Sequence, residues 1–188
     1  MEIGECCNLS YHNKIMNETR LHFWQHCPML KLEEFIVPTS AMEVTKCRVV
    51  YDINGIQDVS YTPYTMRKVS SLQLVHSETI DYTYKSTNRE ELNNLFSKRG
   101  LCDEILIVRQ GLLTDTSIAN IALFDGKDWL TPSYPLLEGT KRAELLEKGF
   151  IREKEIKCEE LSSFSSIRLF NAMIEWGALE LSIEEIYD

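Results

Sequence analysis

The chain has 188 residues, is 44% hydrophobic and carries a formal charge of −9, with a sequence pI near 5.0. That length supports a sizeable core in one compact domain or two small ones. The acidity argues against nucleic acid as a general partner, because phosphate binding needs a basic surface, but it leaves room for a local cationic pocket that takes a small anion. None of the six cysteines forms a C-x-x-C pair. The N-terminus MEIGECCNLS lacks a basic stretch followed by an apolar one, and no apolar run approaches bilayer-spanning length. The expectation is a reduced, cytoplasmic, soluble protein with structural thiols and no membrane partner.

Asn8-Leu9-Ser10 opens a helix in which Tyr11, Ile15, Met16, Thr19, Phe23 and Trp24 recur at helical spacing, and Pro28 ends it. Pro38-Thr39-Ser40 mark a turn. Cys47 to Tyr51 and Val59 to Tyr61 read as two strands around the Asn54-Gly55 turn signal. Ser71 to Val75 alternates as another strand, and Asp81-Tyr82-Thr83-Tyr84 reads as strand or extended chain. A domain boundary is expected near residues 77–87, giving a small N-terminal α/β domain over 1–80 and a larger mixed-sheet domain over 81–188.

Asn88 to Arg99 reads as a capped helix stopped by Gly100. Glu104 to Val108 is a buried-type strand. Asn120–Phe124 and Trp129–Thr131 read as a hairpin, Gly139–Lys148 as a helix, and Phe150–Ile156 and Ile167–Phe170 as strands. Leu179–Leu181 reads as a further short strand. The expected class is α/β (α+β), built on antiparallel hairpins rather than repeated βαβ units. Neither the Rossmann nor the P-loop glycine motif is present.

Several clusters invite chemistry. His22 and His26, at i, i+4 beside Cys27, have a metal-like spacing, but Phe23 stands where a zincin motif has glutamate, and we expect no metal. Asp103-Glu104 reads as a solvated strand start rather than an acid–base pair. Asp115, in Leu113-Thr114-Asp115-Thr116-Ser117, is a lone acid on a loop, suited either to an Asx-type turn or to holding a protonated ring nitrogen. Gly139-Thr140-Lys141-Arg142 opens a helix after a loop, and free amides at a helix start take phosphate well. Lys85 stands three residues before Asn88, at a domain joint. Pyridoxal 5′-phosphate (PLP) needs these three parts: an amine, an acid for the pyridine nitrogen, and a phosphate-ready helix start.

The order and spacing of these segments resemble the class IV aminotransferase family, the fold type IV group of PLP enzymes. The group includes branched-chain and D-amino-acid aminotransferases and aminodeoxychorismate lyase. YKSTNREELNNLF resembles the segment whose Schiff-base lysine precedes an Asn-Arg helix start, which implies Lys85 as the catalytic lysine. DEILIVRQGLLTDTSIANIALFDGKDWLTP resembles the segment with the pyridine-nitrogen acid, usually glutamate and here Asp115, followed by an asparagine, here Asn120. GTKRAELL resembles the Gly-Ile-Thr-Arg helix start, implying that Gly139, Thr140 and Lys141 hold the phosphate, mostly through backbone N–H groups. FNAM at 170–173 is similar to an Asn-Ala segment of the lyases, which makes Asn171 a substrate-binding candidate.

Two departures stand out. In YHNKIMNETR, Ile15 stands where the family carries a phosphate-binding arginine, and isoleucine cannot donate a hydrogen bond. The loss of one charge-assisted contact costs about 1.5–3 kcal/mol. In addition, only seven residues precede Asn8, where family members have a strand; either that strand is shortened or the gene start is misplaced. The resemblance implies a homodimer with the cofactor in the interdomain cleft, acting on a small amino compound with carboxylate groups. Arg48, on a strand of the small domain, is a candidate for such a carboxylate. The short length points to the lyase, which forms 4-aminobenzoate and pyruvate from 4-amino-4-deoxychorismate for folate synthesis. A branched-chain or D-amino-acid aminotransferase, and a catalytically impaired dimeric binding protein, stay open.

Overall fold

The computed structural model describes residues 6–37 and 44–188. The turn expected at Pro38–Ser40 lies outside the described residues. The chain divides into two compact units, Met1–Met66 and Arg67–Asp188. The sequence reading put the boundary near residue 80. The break falls earlier because the strand Leu72–His76 pairs with Glu104–Val108 and so belongs to the second unit.

In the first unit, helix α1 (Leu9–Phe23) is followed by strands β1 (Thr45–Asp52) and β2 (Gly55–Pro63), which form an antiparallel hairpin. Met16 of α1, Leu32 and Ile36 form its small core, packed against Cys47, Val49 and Tyr51 of β1 and Ile56, Val59 and Tyr61 of β2. Asn17 exchanges hydrogen bonds with the backbone of Leu30, at 2.8 Å to its carbonyl and 2.9 Å from its N–H. Arg20 is buried and donates to the carbonyls of Pro28, Asp52 and Ile53. Helix α1 stops before Pro28, and His26 adopts φ 70° beyond its end. His22 and His26 therefore do not share a helix face, and among the described residues no three or more His, Cys, Asp or Glu side chains gather as a metal site would need.

The second unit holds two packed sheets. Its elements are β3 (Leu72–His76), α2 (Glu90–Phe96), β4 (Glu104–Arg109), β5 (Leu112–Thr116), β6 (Asn120–Phe124), β7 (Trp129–Pro132), α3 (Thr140–Glu147), β8 (Arg152–Lys154), β9 (Ser166–Phe170), β10 (Glu180–Ser182) and β11 (Ile186–Tyr187). One sheet has the order β11-β3-β4-β5, the other β10-β9-β6-β7-β8. Strand periodicity explains the layering. Leu106 and Val108 of β4 face the inter-sheet core with Ile121, Leu123, Ile167 and Leu169. Ile105 and Ile107, on the opposite face, meet Leu92 and Leu95 of α2. On the far side of the second sheet, Ala122 and Phe170 cover Leu145 of α3 and Ile151.

Hairpins alone do not describe this unit. β3 and β4 run parallel across α2, and β7 and β8 run parallel across α3. These are two βαβ crossovers, which the sequence reading did not anticipate. The consequence is chemical. The loop with Lys85 leaves the carboxyl end of β3, and the loop reaching the start of α3 leaves the carboxyl end of β7, the places where such sheets present ligand-binding loops.

Candidate active site

Residues 81–84, expected to be extended, instead form a bend. Asp81 Oδ1 accepts from the Thr83 N–H at 3.0 Å and its hydroxyl at 2.7 Å, an Asx-type arrangement that competes with strand pairing. Tyr82 is buried as the anchor of the loop, and its hydroxyl donates to the Ser86 carbonyl at 3.1 Å. Lys85 is exposed between these two fixed points. Asn88 does not lie inside the helix; its Oδ1 accepts from the Glu90 N–H at 3.0 Å, and α2 begins there.

Asp115 is on β5, not on a loop, because Leu112–Thr116 pairs antiparallel with β4. Its carboxylate is buried and accepts from Asn120 Nδ2 at 2.9 Å and from the Leu137 N–H at 2.9 Å. Asn120 Nδ2 also donates to the Leu137 carbonyl at 2.7 Å. One asparagine thus locks the acid to the loop that leads into α3. Burial pushes the Asp115 carboxyl up to about 6, and the bonds from Leu137, Asn120 and Leu136, with the charge of Arg142, hold it from rising further.

Gly139 is the N-cap of α3, in ordinary extended geometry at φ −70°. Its requirement for glycine is one of space: a Cβ here would lie 2.2 Å from Asn120 Oδ1. With no side chain at the cap, the amides of the first turn of α3 are left to an external acceptor. Thr140 and Lys141 are both buried in that turn. The ammonium of Lys141 is committed elsewhere, to Glu175 at 2.9 Å and Glu144 at 3.0 Å. Burial alone would lower its pKa, but these two carboxylates outweigh that and hold it above the usual lysine value. Any role of Lys141 toward an anion therefore belongs to its backbone N–H.

The remaining candidates are placed differently. Asn171 donates to the Ile118 carbonyl at 2.9 Å, and its Oδ1 accepts from Met173 and Ile174 N–H groups, so it braces the turn after Asp115 from the side. Arg48, in the first unit, is half exposed and pairs with Asp58 across the hairpin at 3.7 Å.

Sequence reasoning missed three charged residues. Glu104 is not a solvated strand start: it is fully buried, bonded to Arg67 and to the N–H groups of Ile105 and Ser117. Its signal was an acid leading directly into the apolar run Ile105–Val108. Arg89 donates to the Ser117 carbonyl at 2.7 Å and to the Tyr82 hydroxyl at 3.2 Å. Arg142 is buried, bonded to the Pro132 carbonyl and Glu153, and its Nε is a buried donor without a hydrogen-bond partner among the described residues. Nothing in the sequence separated it from the surface cation it resembles.

The acid is buried and its pKa raised, the lysine is exposed on the β3–α2 loop, and α3 starts at a glycine. The family model for aminotransferase class IV matches residues 54–180, and the chain belongs to that family. A crystal structure from Haemophilus somnus, provisionally named a 4-amino-4-deoxychorismate lyase, is 36% identical and superposes with a TM-score of 0.86 over 92% of each chain. A Schizosaccharomyces pombe protein, provisionally named an aminodeoxychorismate lyase, is 30% identical over 76% of this chain and 68% of its own. A hypothetical aminotransferase from Mycobacterium tuberculosis in its PLP-bound form shares the fold, with a TM-score of 0.71 at 15% identity over 97% of this chain and 77% of its own. No helix among the described residues is long and apolar enough to cross a membrane.

Proposed function

We propose that this protein is a PLP-dependent enzyme whose reaction is that of 4-amino-4-deoxychorismate lyase, releasing pyruvate and 4-aminobenzoate for folate synthesis. The single observation that carries the reading is the lock joining Asp115, Asn120 and Gly139, which ties a buried acid to an open helix start. The residues fit the cofactor: the space a Cβ at Gly139 would fill is taken by Asn120, and the donor set at α3 is backbone N–H suited to a phosphate. When bound, PLP supplies an electron sink next to the substrate amine.

The chain's own residues do the rest. Asp115 would hold the pyridine nitrogen, since a cationic N–H beside it favours the carboxylate form. Gly139, Thr140 and Lys141 would take the phosphate through their amides. Lys85 is the amine that would hold the cofactor. The Lys85 amine would also serve as the base for the proton on the substrate's ring carbon, and would return a proton to the departing enolpyruvyl group so that pyruvate and 4-aminobenzoate balance. The comparably short Haemophilus somnus relative supports the lyase over an aminotransferase. We further propose a homodimer working in a reducing compartment, consistent with six free cysteines.

A second reading is favoured by a specific observation. Ile15 replaces the arginine of the family, and the Lys141 ammonium is spent on Glu144 and Glu175, so the phosphate is left largely to amides. A family member that has lost its cofactor and serves as a dimeric binding protein would look like this. Titration with PLP, followed by borohydride reduction and peptide mapping in the wild type and Lys85→Ala, separates the two. Trapping at Lys85 followed by 4-aminobenzoate release from 4-amino-4-deoxychorismate supports the enzyme. No trapping at millimolar PLP sinks it, and trapping without turnover leaves an aminotransferase to be tested with amino and keto acids.

A further inference from the structure

Ser117 is gripped at both of its backbone polar groups by charged side chains. Its N–H donates to Glu104 Oε1 at 3.2 Å, and its carbonyl accepts from Arg89 Nη2 at 2.7 Å. Glu104 is fully buried, with its second oxygen on Arg67. Arg89 reaches the Tyr82 hydroxyl at 3.2 Å and lies over the Tyr82 ring, 5.5 Å from its centroid. That hydroxyl passes the connection on to the Ser86 carbonyl. An unbroken line of bonds therefore runs from the residue after Lys85, through Tyr82 and Arg89, to a residue two positions after Asp115, and is anchored on Glu104.

Burying a carboxylate costs several kcal/mol unless its bonds are well made. A turn between two strands needs no such device, since its amides and carbonyls can face water. Strand β5 fixes the position of Asp115, and the β3–α2 loop carries the amine. Arg89 is a direct side-chain tie between the end of that loop and the turn that follows β5. We propose that Arg89, with Glu104 behind it, is a positioning residue that sets the span between the Lys85 amine and the Asp115 carboxylate so that both meet one ring. The inference rests on the PLP reading and adds to it a clamp outside the residues that touch the cofactor.

The experiment compares wild type, Arg89→Met, Arg89→Lys, Tyr82→Phe and, as a control, Arg99→Met. Arg99 stacks on Phe96 and donates to the Phe96 carbonyl. Two quantities are read: the rate at which PLP is covalently trapped at Lys85, located by peptide mass, and amide hydrogen exchange over residues 115–120 in the protein without PLP. Arg89→Met is expected to slow trapping about 10-fold or more, because misplacement of reacting groups by a fraction of an ångström carries penalties of that order. It should also speed exchange over 115–120 while leaving α3 and β9 unchanged. Arg89→Lys should recover part of both effects, since an ammonium keeps the charge but lacks the rigid planar fork of the guanidinium. The Arg99→Met control should match wild type.

Tyr82→Phe removes only a hydroxyl and serves if Arg89→Met does not fold; a smaller effect, about 3-fold, in the same direction is expected. Folded Arg89→Met and Tyr82→Phe proteins with wild-type trapping and wild-type exchange overturn the clamp. If the wild type itself does not trap PLP, the proposed function falls, and the clamp stands or falls on the exchange over 115–120 alone.

Discussion

Two buried polar networks in this chain, one in each unit, resemble each other in composition and differ in what their bonds reach. In the first unit, Arg20 is 1% exposed and gives its hydrogen bonds to three backbone carbonyls. In the second, Asp115, Glu104 and Arg142 are equally buried, but their bonds run to Asn120, Arg67, Glu153 and the amides of chain segments that themselves carry chemistry. The first network is complete. The second keeps capacity in reserve: an acid held near 6 and an Nε with no partner among the described residues. A buried charge whose bonds all end on carbonyls is a strut. A buried charge left partly unsatisfied beside other charged groups points to a site that expects a ligand.

Substitutions can break that contrast. Lys85→Ala should have the largest effect, abolishing covalent trapping and lowering turnover by about 10²–10⁴-fold, the usual worth of a positioned acid–base group; circular dichroism should show an unchanged fold, because the side chain is exposed. Arg20→Met should do the reverse. It leaves three carbonyls without their donor, at about 3 kcal/mol, and thermal unfolding should show a fall of about 6–12 °C with no new dependence on pH. An unchanged Tm would refute the strut.

The acid in the second network predicts a pH effect of definite sign. The Asp115 pKa is raised from 3.8 to about 6 in the folded protein, so the folded state binds its proton more tightly than the unfolded state. Its contribution is fully present below about pH 4 and is lost as pH rises through about 6, a change of about 3 kcal/mol in all. Denaturant titrations across that window should show this slope on top of the other carboxylates, and Asp115→Asn should lack it. Equal slopes in the two proteins would mean that the acid is not desolvated.

Gly139→Ala sharpens the same comparison. The added methyl meets an asparagine already held by two bonds, so the start of α3 or Asn120 has to move, at about 1–3 kcal/mol, and PLP affinity should fall further than stability alone explains. Arg48→Ala is the smallest test. Its pair with Asp58 is half exposed, so stability should change by less than about 1 kcal/mol, and any larger loss of turnover would give Arg48 a substrate role.

Much of the candidate site was legible in the sequence where the signal is local. Lys85 ahead of an Asn-Arg helix start, Gly139 at the opening of α3, and the apolar run of β4 each depend on neighbours a few residues away. Asp115 was identified as the acid but placed on a loop, because LLTDT lacks the apolar alternation that marks strands; its pairing with β4 supplies what propensity does not. Glu104 was read as solvated because an acid at the edge of a strand usually is. Arg67 and the Ser117 amide, distant along the chain, join the neighbouring Ile105 amide in making its burial tolerable.

Taken alone, the amino-acid sequence determined the family and the places of most helices and strands, because period-2 patterning and helix caps are properties of short segments. The tertiary structure decided which strands became partners and in which direction, as in β6 with β9 and the parallel pairs across α2 and α3. It also decided the protonation range of Asp115 and the committed state of Lys141. Desolvation and ion pairing depend on what surrounds a group in space, and the residues that surround these groups come from distant parts of the chain.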